Sequence, residues 1–132
     1  MLSREKGFTL SELLLAVVIL AFAMSGMLYL FVNCSFLDNA NRNLSLAVSH
    51  GQFVMEDIKA AEFSGLQESI NAGVWNWNAA TISAKGLTAL SNESIITAST
   101  GVDPLHIVVT VLWRDRGSVD RSFVLETLIA SP

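Results

Sequence analysis

Glu12 is the residue whose chemistry needs an explanation first. It is the only charged residue among residues 8–32, a run of 25 residues that is otherwise almost entirely apolar. A carboxylate near the start of such a run is costly to place in an apolar environment, so it requires a partner. A free amino terminus would be a suitable cation, and cutting the chain between Gly7 and Phe8 would create one. The position of Glu12 shortly after the Gly7–Phe8 bond therefore suggests that proteolysis of this bond supplies its partner.

The apolar run itself must position this carboxylate. As a helix, residues 8–32 would be about 37 Å long, which is enough to cross a bilayer core of ~30 Å with some tilt. Arg4 and Lys6 precede the run, and Arg42 is the basic residue that comes after it most closely. Because basic residues favour the cytoplasmic side, we expect the N-terminus in the cytoplasm and the remaining domain outside.

Residues 6–12 read K-G-F-T-L-S-E and continue into the apolar run. This arrangement resembles the processing signal of type IV prepilins and type II secretion pseudopilins. The resemblance implies that a prepilin peptidase recognises Lys6, Gly7 and Phe8 and cuts after Gly7. It also implies that Phe8 becomes the methylated N-terminus, and that Glu12, the fifth mature residue, sets the register with a neighbouring subunit in a helical fibre.

Two plainer interpretations of the same stretch remain open. An ordinary signal peptide would use Ala21-Phe22-Ala23 as a small-x-small cleavage site and leave Met24 as the mature N-terminus. The apolar run continues beyond that site, and a signal peptide has no use for Glu12. A simple single-pass anchor would explain the length of the run but not the residues that precede it.

Length and charge limit the organisation and the partners of the chain. We expect a leader at residues 1–7, a transmembrane or fibre-core helix at residues 8–32 and one exported domain at residues 33–132. The net charge of −4 argues against a nucleic-acid partner, because domains that bind nucleic acids usually carry a basic patch. Cys34 is the only cysteine, which excludes a disulfide within the chain.

Beyond the membrane segment, the pattern predicts that the helix continues to about Phe63. Apolar residues recur in steps of three and four through Leu44, Val48, Met55 and Ile58. Gly65 is a candidate C-cap for this helix. Residues 66–104 resemble a variable loop, with one short strand expected near residues 94–97. Within that loop, core packing is the expected role of the two tryptophans at positions 75 and 77.

The C-terminal part predicts a β-hairpin. Residues 105–113 alternate with apolar side chains on one face, residues 114–118 form a polar turn containing Gly117, and residues 119–129 alternate again. The second strand is expected to place its odd-numbered residues, from Val119 to Ile129, on one face. This hairpin resembles the strand pair of V-type minor pilins and I-type minor pseudopilins. The expected fold is α+β, with a long N-terminal helix packed on a small antiparallel sheet, as in type IV pilins.

Catalytic signals are absent from the sequence. His50 and His106 are the two histidines, and we expect structural or surface roles for both. The sequence has no paired zinc-binding histidines, no cysteine cluster, no nucleophile elbow and no glycine-rich phosphate loop. We therefore expect no enzymatic activity, no cofactor and no metal.

The resemblance implies a structural function. The chain would be a minor pilin or pseudopilin, anchored in the inner membrane by one span and then built into a type IV pilus or a secretion pseudopilus. Its partners would be prepilin peptidase, other subunits, the inner-membrane assembly platform and membrane lipid. The alternative is a binding module at the fibre tip that contacts a surface, a secreted cargo or DNA through residues 66–104.

Overall fold

A computed structural model describes residues 7–132, so Lys6 and the rest of residues 1–6 of the predicted leader lie outside the described residues. The chain divides into two compact units, of which the first ends at Asn39 and the second is Ala40–Pro132. Helix α1, Leu10–Ala60, contributes residues to both units.

The described part of the first unit is an apolar helical segment whose large side chains are mostly exposed. Phe8, Phe22, Met27 and Tyr29 are each at least 70% exposed, and most of the other large apolar side chains up to Leu37 are more than half exposed. By length and composition, α1 can cross a membrane. The apolar surface therefore requires lipid or another protein to cover it.

Four polar side chains in this segment donate hydrogen bonds to the backbone of their own helix. The Ser25 and Ser35 hydroxyls donate to the carbonyl oxygens four residues earlier, at 2.8 and 3.1 Å, and the Asn33 and Asn39 amides do the same at 3.0 and 2.9 Å. Such back-bonding lowers the cost of placing a polar group in an apolar environment.

The second unit packs the end of α1 against a β-sheet. The helix buries Ala47, His50, Gly51, Val54, Met55 and Ile58. The expected stripe is confirmed at Met55 and Ile58 and is wrong at Leu44, which is 43% exposed. The buried face also includes His50 and Gly51, which hydrophobicity alone did not indicate.

Within residues 7–132, four antiparallel strands form one sheet in the order β1-β2-β3-β4. The strands are β1 Trp77–Asn78, β2 Ser94–Thr100, β3 Leu105–Asp115 and β4 Val119–Ile129. The predicted inner face of β3 is confirmed, since the alternating residues from Leu105 to Trp113 are all buried. Gly117, at a φ of 89°, lies in the turn between β3 and β4, as a tight hairpin requires.

The last strand is only half covered. Phe123, Leu125 and Ile129 pack against the core, as expected from the alternation. Val119 and Arg121 lie on the same face, as the alternation predicted, but they are exposed. β4 is an edge strand, and helix α1 covers its C-terminal part better than its N-terminal part.

The segment between α1 and β2 is more ordered than the expected loop. It contains helices α2, Leu66–Asn71, and α3, Ala79–Ala84, besides β1. The expected strand is present and extends to Thr100. α1 ends at Ala60 rather than near Phe63, and Gly65 is the left-handed N-cap of α2 rather than the C-cap of α1.

These elements make an α+β architecture of the type IV pilin kind. A long N-terminal helix, apolar in its first part, packs its last part against an antiparallel sheet. This confirms the fold class that the sequence predicted.

Candidate processing and assembly site

The start of α1 is closed by a capping box formed by Thr9 and Glu12. The Glu12 carboxylate oxygen Oε2 accepts hydrogen bonds from the Thr9 backbone N–H and the Thr9 hydroxyl, both at 3.0 Å. The Glu12 backbone N–H in turn donates to the Thr9 hydroxyl at 3.4 Å. Two N–H groups at the helix start, otherwise without intrahelical acceptors, are thereby satisfied. The carboxylate also lies at the positive end of the helix dipole.

The peptide bond between Gly7 and Phe8 lies before this cap, in non-helical backbone. Both residues are exposed, Phe8 to 87%. A Cβ added at Gly7 would have no heavy atom within 4 Å. The fold of the subunit therefore does not require glycine at position 7, so a requirement for glycine would come from another protein.

The capping role of Thr9 is the contact that the sequence analysis did not assign. The signal was readable, because T-L-S-E is a Thr-x-x-Glu capping box in front of an apolar run. Phe8, Thr9 and Glu12 form one local site, in which Phe8 immediately precedes the residue that Glu12 holds.

His50 takes the structural role expected for it, in a buried pair with Glu93. His50 Nδ1 lies 2.7 Å from Glu93 Oε1, and the two side chains are 3% and 0% exposed. Glu93 Oε2 accepts a second hydrogen bond from the Leu90 N–H at 2.6 Å. The pair links α1 to the segment that precedes β2, across 43 residues of sequence.

His106 lies on the outer face of the sheet, in an exposed cross-strand network. Its Nδ1 lies 3.3 Å from the Thr100 hydroxyl, and its Nε2 lies 3.2 Å from Glu126 Oε2. A hydroxyl, an imidazole and a carboxylate in this order could act in nucleophilic catalysis, but here they lie on an open strand surface. Among residues 7–132, no group of three or more His, Cys, Asp or Glu side chains is arranged to hold a metal ion.

Trp75 and Trp77 are buried, as the sequence predicted. The Trp75 indole N–H donates to Asp57 Oδ2 at 2.8 Å. Trp77 packs at 5.9 Å from the Phe53 ring, and the Lys85 ammonium lies 4.4 Å from its ring centroid. Their indole rings are thus used inside the second unit and offer little surface to a partner.

The comparisons with known proteins concern the N-terminal segment. A family model described as the prokaryotic N-terminal methylation motif matches residues 2–28. No curated protein matches the chain, and no solved structure matches it either. The matched residues include the Gly7–Phe8 bond, the capping box and most of the apolar run, residues 8–28. The chain therefore carries the prokaryotic N-terminal methylation motif, the signal of type IV prepilin-like proteins.

Proposed function

We propose that this chain is a minor pilin or pseudopilin, a structural subunit that is cut after Gly7 and built into a type IV pilus or a secretion pseudopilus. The observation that carries the proposal is the methylation motif at residues 2–28, directly before and within a helix that can cross a membrane. The leader would be residues 1–7, with Lys6, Gly7 and Phe8 recognised by prepilin peptidase and Phe8 methylated. The same motif favours a structural subunit over an enzyme.

The exposed apolar segment supports this proposal, because the same apolar surface of a fibre subunit must be buried in two environments, first in the membrane and then in the fibre. Before assembly, lipid of the inner membrane would cover residues 8–32. After assembly, the same segments of neighbouring subunits would pack together in the fibre core. The exported domain, residues 33–132, would lie on the outside in both states.

Glu12 supports the assembly role through the geometry of its carboxylate. Oε2 accepts both hydrogen bonds from Thr9, whereas Oε1 has no hydrogen-bond partner among residues 7–132. A carboxylate has room for about four hydrogen bonds. Oε1 is thus available to the Phe8 amine of a neighbouring subunit, without loss of the cap on its own helix.

Processing is tested by mass spectrometry of the protein extracted from membranes. We expect a mature chain that begins at N-methylated Phe8. A mature chain that begins at Met24 would establish the signal-peptide interpretation instead. Gly7→Val should leave the precursor uncut with an unchanged domain fold, because the space around Gly7 is empty. Misfolding of this variant would show that Gly7 has a structural role.

Assembly is tested with Glu12→Gln, since glutamine can also complete a capping box but carries no charge. We expect this variant to be inserted and cut like the wild type, and to co-purify poorly with the other fibre subunits. Thr9→Ala is the complementary variant, because it removes the cap at a cost of about 1 kcal/mol and keeps the carboxylate. If Glu12→Gln entered fibres like the wild type, the register role of Glu12 would be wrong.

A further inference from the structure

In the part of the chain that the structure describes, the sheet of the second unit has one long open edge, which is formed by β4. This strand pairs with β3 alone, in a one-to-one register over all 11 of its residues. The opposite edge is occupied, since Ile95 of β2 pairs with Trp77 of β1 and the Thr97 N–H donates to Asn76 Oδ1 at 2.8 Å. A long edge strand with unpaired backbone groups is a template for another strand.

The direction of the free backbone groups of β4 follows from the pairing of β3. The Arg114 N–H donates to the carbonyl oxygen of Ser91, which precedes β2, so the backbone groups of even-numbered residues in β3 point toward β2. The odd-numbered residues of β3 therefore bond to the odd-numbered residues of β4 that lie opposite them. The even-numbered residues of β4 point their N–H and C=O groups away from the sheet; they are Asp120, Ser122, Val124, Glu126 and Leu128.

β4 lacks most of the features that protect such an edge in other proteins. Residues 119–129 contain no proline, glycine or lysine, and the one-to-one register leaves no bulge. The middle of the strand, residues 123–125, carries no charge. On the outer face of the sheet, Val124 is 47% exposed and Leu128 is 64% exposed. A strand added at this edge would therefore cover apolar side chains as well as pair backbone groups.

A groove of about 330 Å³ lies between α1 and β4, on the inner face of the same edge. Its apolar lining includes Met55 and Leu125, and its charged lining is Glu56, Lys59 and Glu126. Glu56 and Lys59 are exposed. Side chains on the inner face of an added strand would enter this groove, because they would lie beside Leu125. With two carboxylates and one ammonium, the groove favours a basic side chain over an acidic one.

We propose that the free edge of β4 binds an extended segment of a partner protein, which becomes a fifth strand of the sheet and runs antiparallel to β4. The segment places apolar side chains beside Val124 on the outer face and Leu125 on the inner face, and a basic side chain beside Glu56. The strand pairs within this sheet are likewise antiparallel. The inference goes beyond the proposed function and rests on the second unit alone, since it needs neither cleavage nor the apolar segment.

The test uses the full uncut chain in mild detergent and a fluorescently labelled peptide, Thr-Val-Arg-Val-Phe-Val-Thr, with binding measured by fluorescence anisotropy. On the extended peptide, arginine and phenylalanine lie on one face and the valines on the other. If the arginine and phenylalanine enter the groove, antiparallel pairing directs the valine N–H groups toward β4. N-methylation of the valines should therefore weaken binding at least about 10-fold, whereas N-methylation of the arginine and phenylalanine should change it less than about 2-fold.

Variants of the chain test the same edge from the other side. Val124→Pro removes one outward N–H and leaves the bonds to β3, because proline is tolerated where the N–H of an edge strand faces solvent. It should weaken binding at least about 10-fold, whereas Val124→Thr keeps the N–H and should change binding less than about 2-fold. Thermal unfolding, followed by tryptophan fluorescence, shows whether each variant stays folded. The N-methylated peptides test the pairing on the wild-type chain, even if Val124→Pro does not fold.

A charge exchange tests the groove. Glu56→Lys should weaken binding of the arginine peptide about 5-fold and strengthen binding of the same peptide with glutamate in place of arginine about 5-fold. Glu62→Lys is the matched control, because Glu62 is an exposed carboxylate that does not line the groove. It should leave the binding of both peptides unchanged. Equal effects of Glu56→Lys and Glu62→Lys would contradict the role of the groove.

Three results would overturn the proposal. The first is that the wild-type chain does not bind the arginine peptide at about 1 mM. The second is that the two N-methylated peptides bind equally well, because binding would then not involve strand pairing. The third is a wild-type chain that is dimeric in detergent and that Val124→Pro makes monomeric, since the edge would then bind a second copy. None of these results bears on cleavage after Gly7 or on Glu12, so they leave the proposed function unaffected.

Discussion

Two histidine–glutamate pairs in one domain allow the effect of burial to be measured directly. His50 and Glu93 are 3% and 0% exposed, whereas His106 and Glu126 are 37% and 59% exposed. Glu93→Ala removes the acceptor of both His50 Nδ1 and the Leu90 N–H, and leaves two buried polar groups without a partner. Glu126→Ala makes the same chemical change in an exposed pair, where water can replace the lost carboxylate as the hydrogen-bond partner of His106.

The expected magnitudes differ severalfold. Breaking a buried pair by removing one partner costs about 3–5 kcal/mol, because the remaining group stays desolvated. An exposed pair contributes about 0–1 kcal/mol. In a domain of this size, each kcal/mol lowers the melting temperature by about 4–8 °C, so Glu93→Ala should lower it by at least about 12 °C. Glu126→Ala should lower it by a few degrees.

Tryptophan fluorescence of the full chain in detergent is the appropriate assay. All three tryptophans lie in the second unit and are at most 7% exposed, so their signal reports the unfolding of that unit alone. The apolar helix, which detergent keeps helical, does not contribute. If Glu93→Ala lowered the melting temperature no more than Glu126→Ala, the stabilising role assigned to the buried pair would be wrong.

Two further predictions concern close contacts in the same unit. A Cβ at Gly51 would lie 3.1 Å from a Leu125 methyl carbon, so Gly51→Val should destabilise the domain by about 1–3 kcal/mol in urea unfolding, and Leu125→Ala should partly rescue it. Asp103 accepts hydrogen bonds from the Ser131 hydroxyl and N–H, which lower its pKa. The pKa of Asp103 is lower in the folded chain than in the unfolded chain. At pH values above the ordinary pKa range of an aspartate, this contact therefore stabilises the folded C-terminal residues. That stabilisation is lost as the pH falls through the folded-state pKa of Asp103. The protection factor of the Ser131 amide, which is its exchange rate relative to the unfolded chain at the same pH, should therefore fall in acid, and Asp103→Asn should lower it at neutral pH.

The sequence predicted the elements whose patterns are long. The apolar run and the alternation in β3 and β4 extend over many residues, so each period is repeated often enough to be recognised. Helices α2 and α3 have six residues each, less than two full turns, and offer no such repetition. Their caps were the available signal: Asn78 accepts a hydrogen bond from the Thr81 N–H at 2.9 Å, but an asparagine in a polar segment equally suggests a turn.

Contacts between distant parts of the chain could not be read from local patterns. Glu93 is separated from His50 by 43 residues, and nothing near either residue indicates the pairing. By sequence, Gly51 is a weak point in a helix, because glycine lowers helix stability by roughly 1 kcal/mol relative to alanine. In the structure a Cβ at Gly51 would lie 3.1 Å from a Leu125 side-chain carbon and 3.2 Å from a Val111 side-chain carbon. A side chain there would separate helix and sheet, so the local cost of the glycine is offset by packing.

The capping box changes how the charge of Glu12 should be understood. From the sequence, this carboxylate was assigned no partner until cleavage supplies an amine, because the capping-box pattern of residues 9–12 was not used. In the structure it already accepts two hydrogen bonds from Thr9 within the uncut chain. Because those bonds use Oε2 alone, cleavage would add a cation at Phe8 next to a carboxylate that is already oriented. An oriented carboxylate loses less side-chain entropy when it binds a neighbouring amine, which favours docking at a single register. Thr9→Ala should therefore weaken assembly less than Glu12→Gln does, because it loosens the carboxylate without removing its charge.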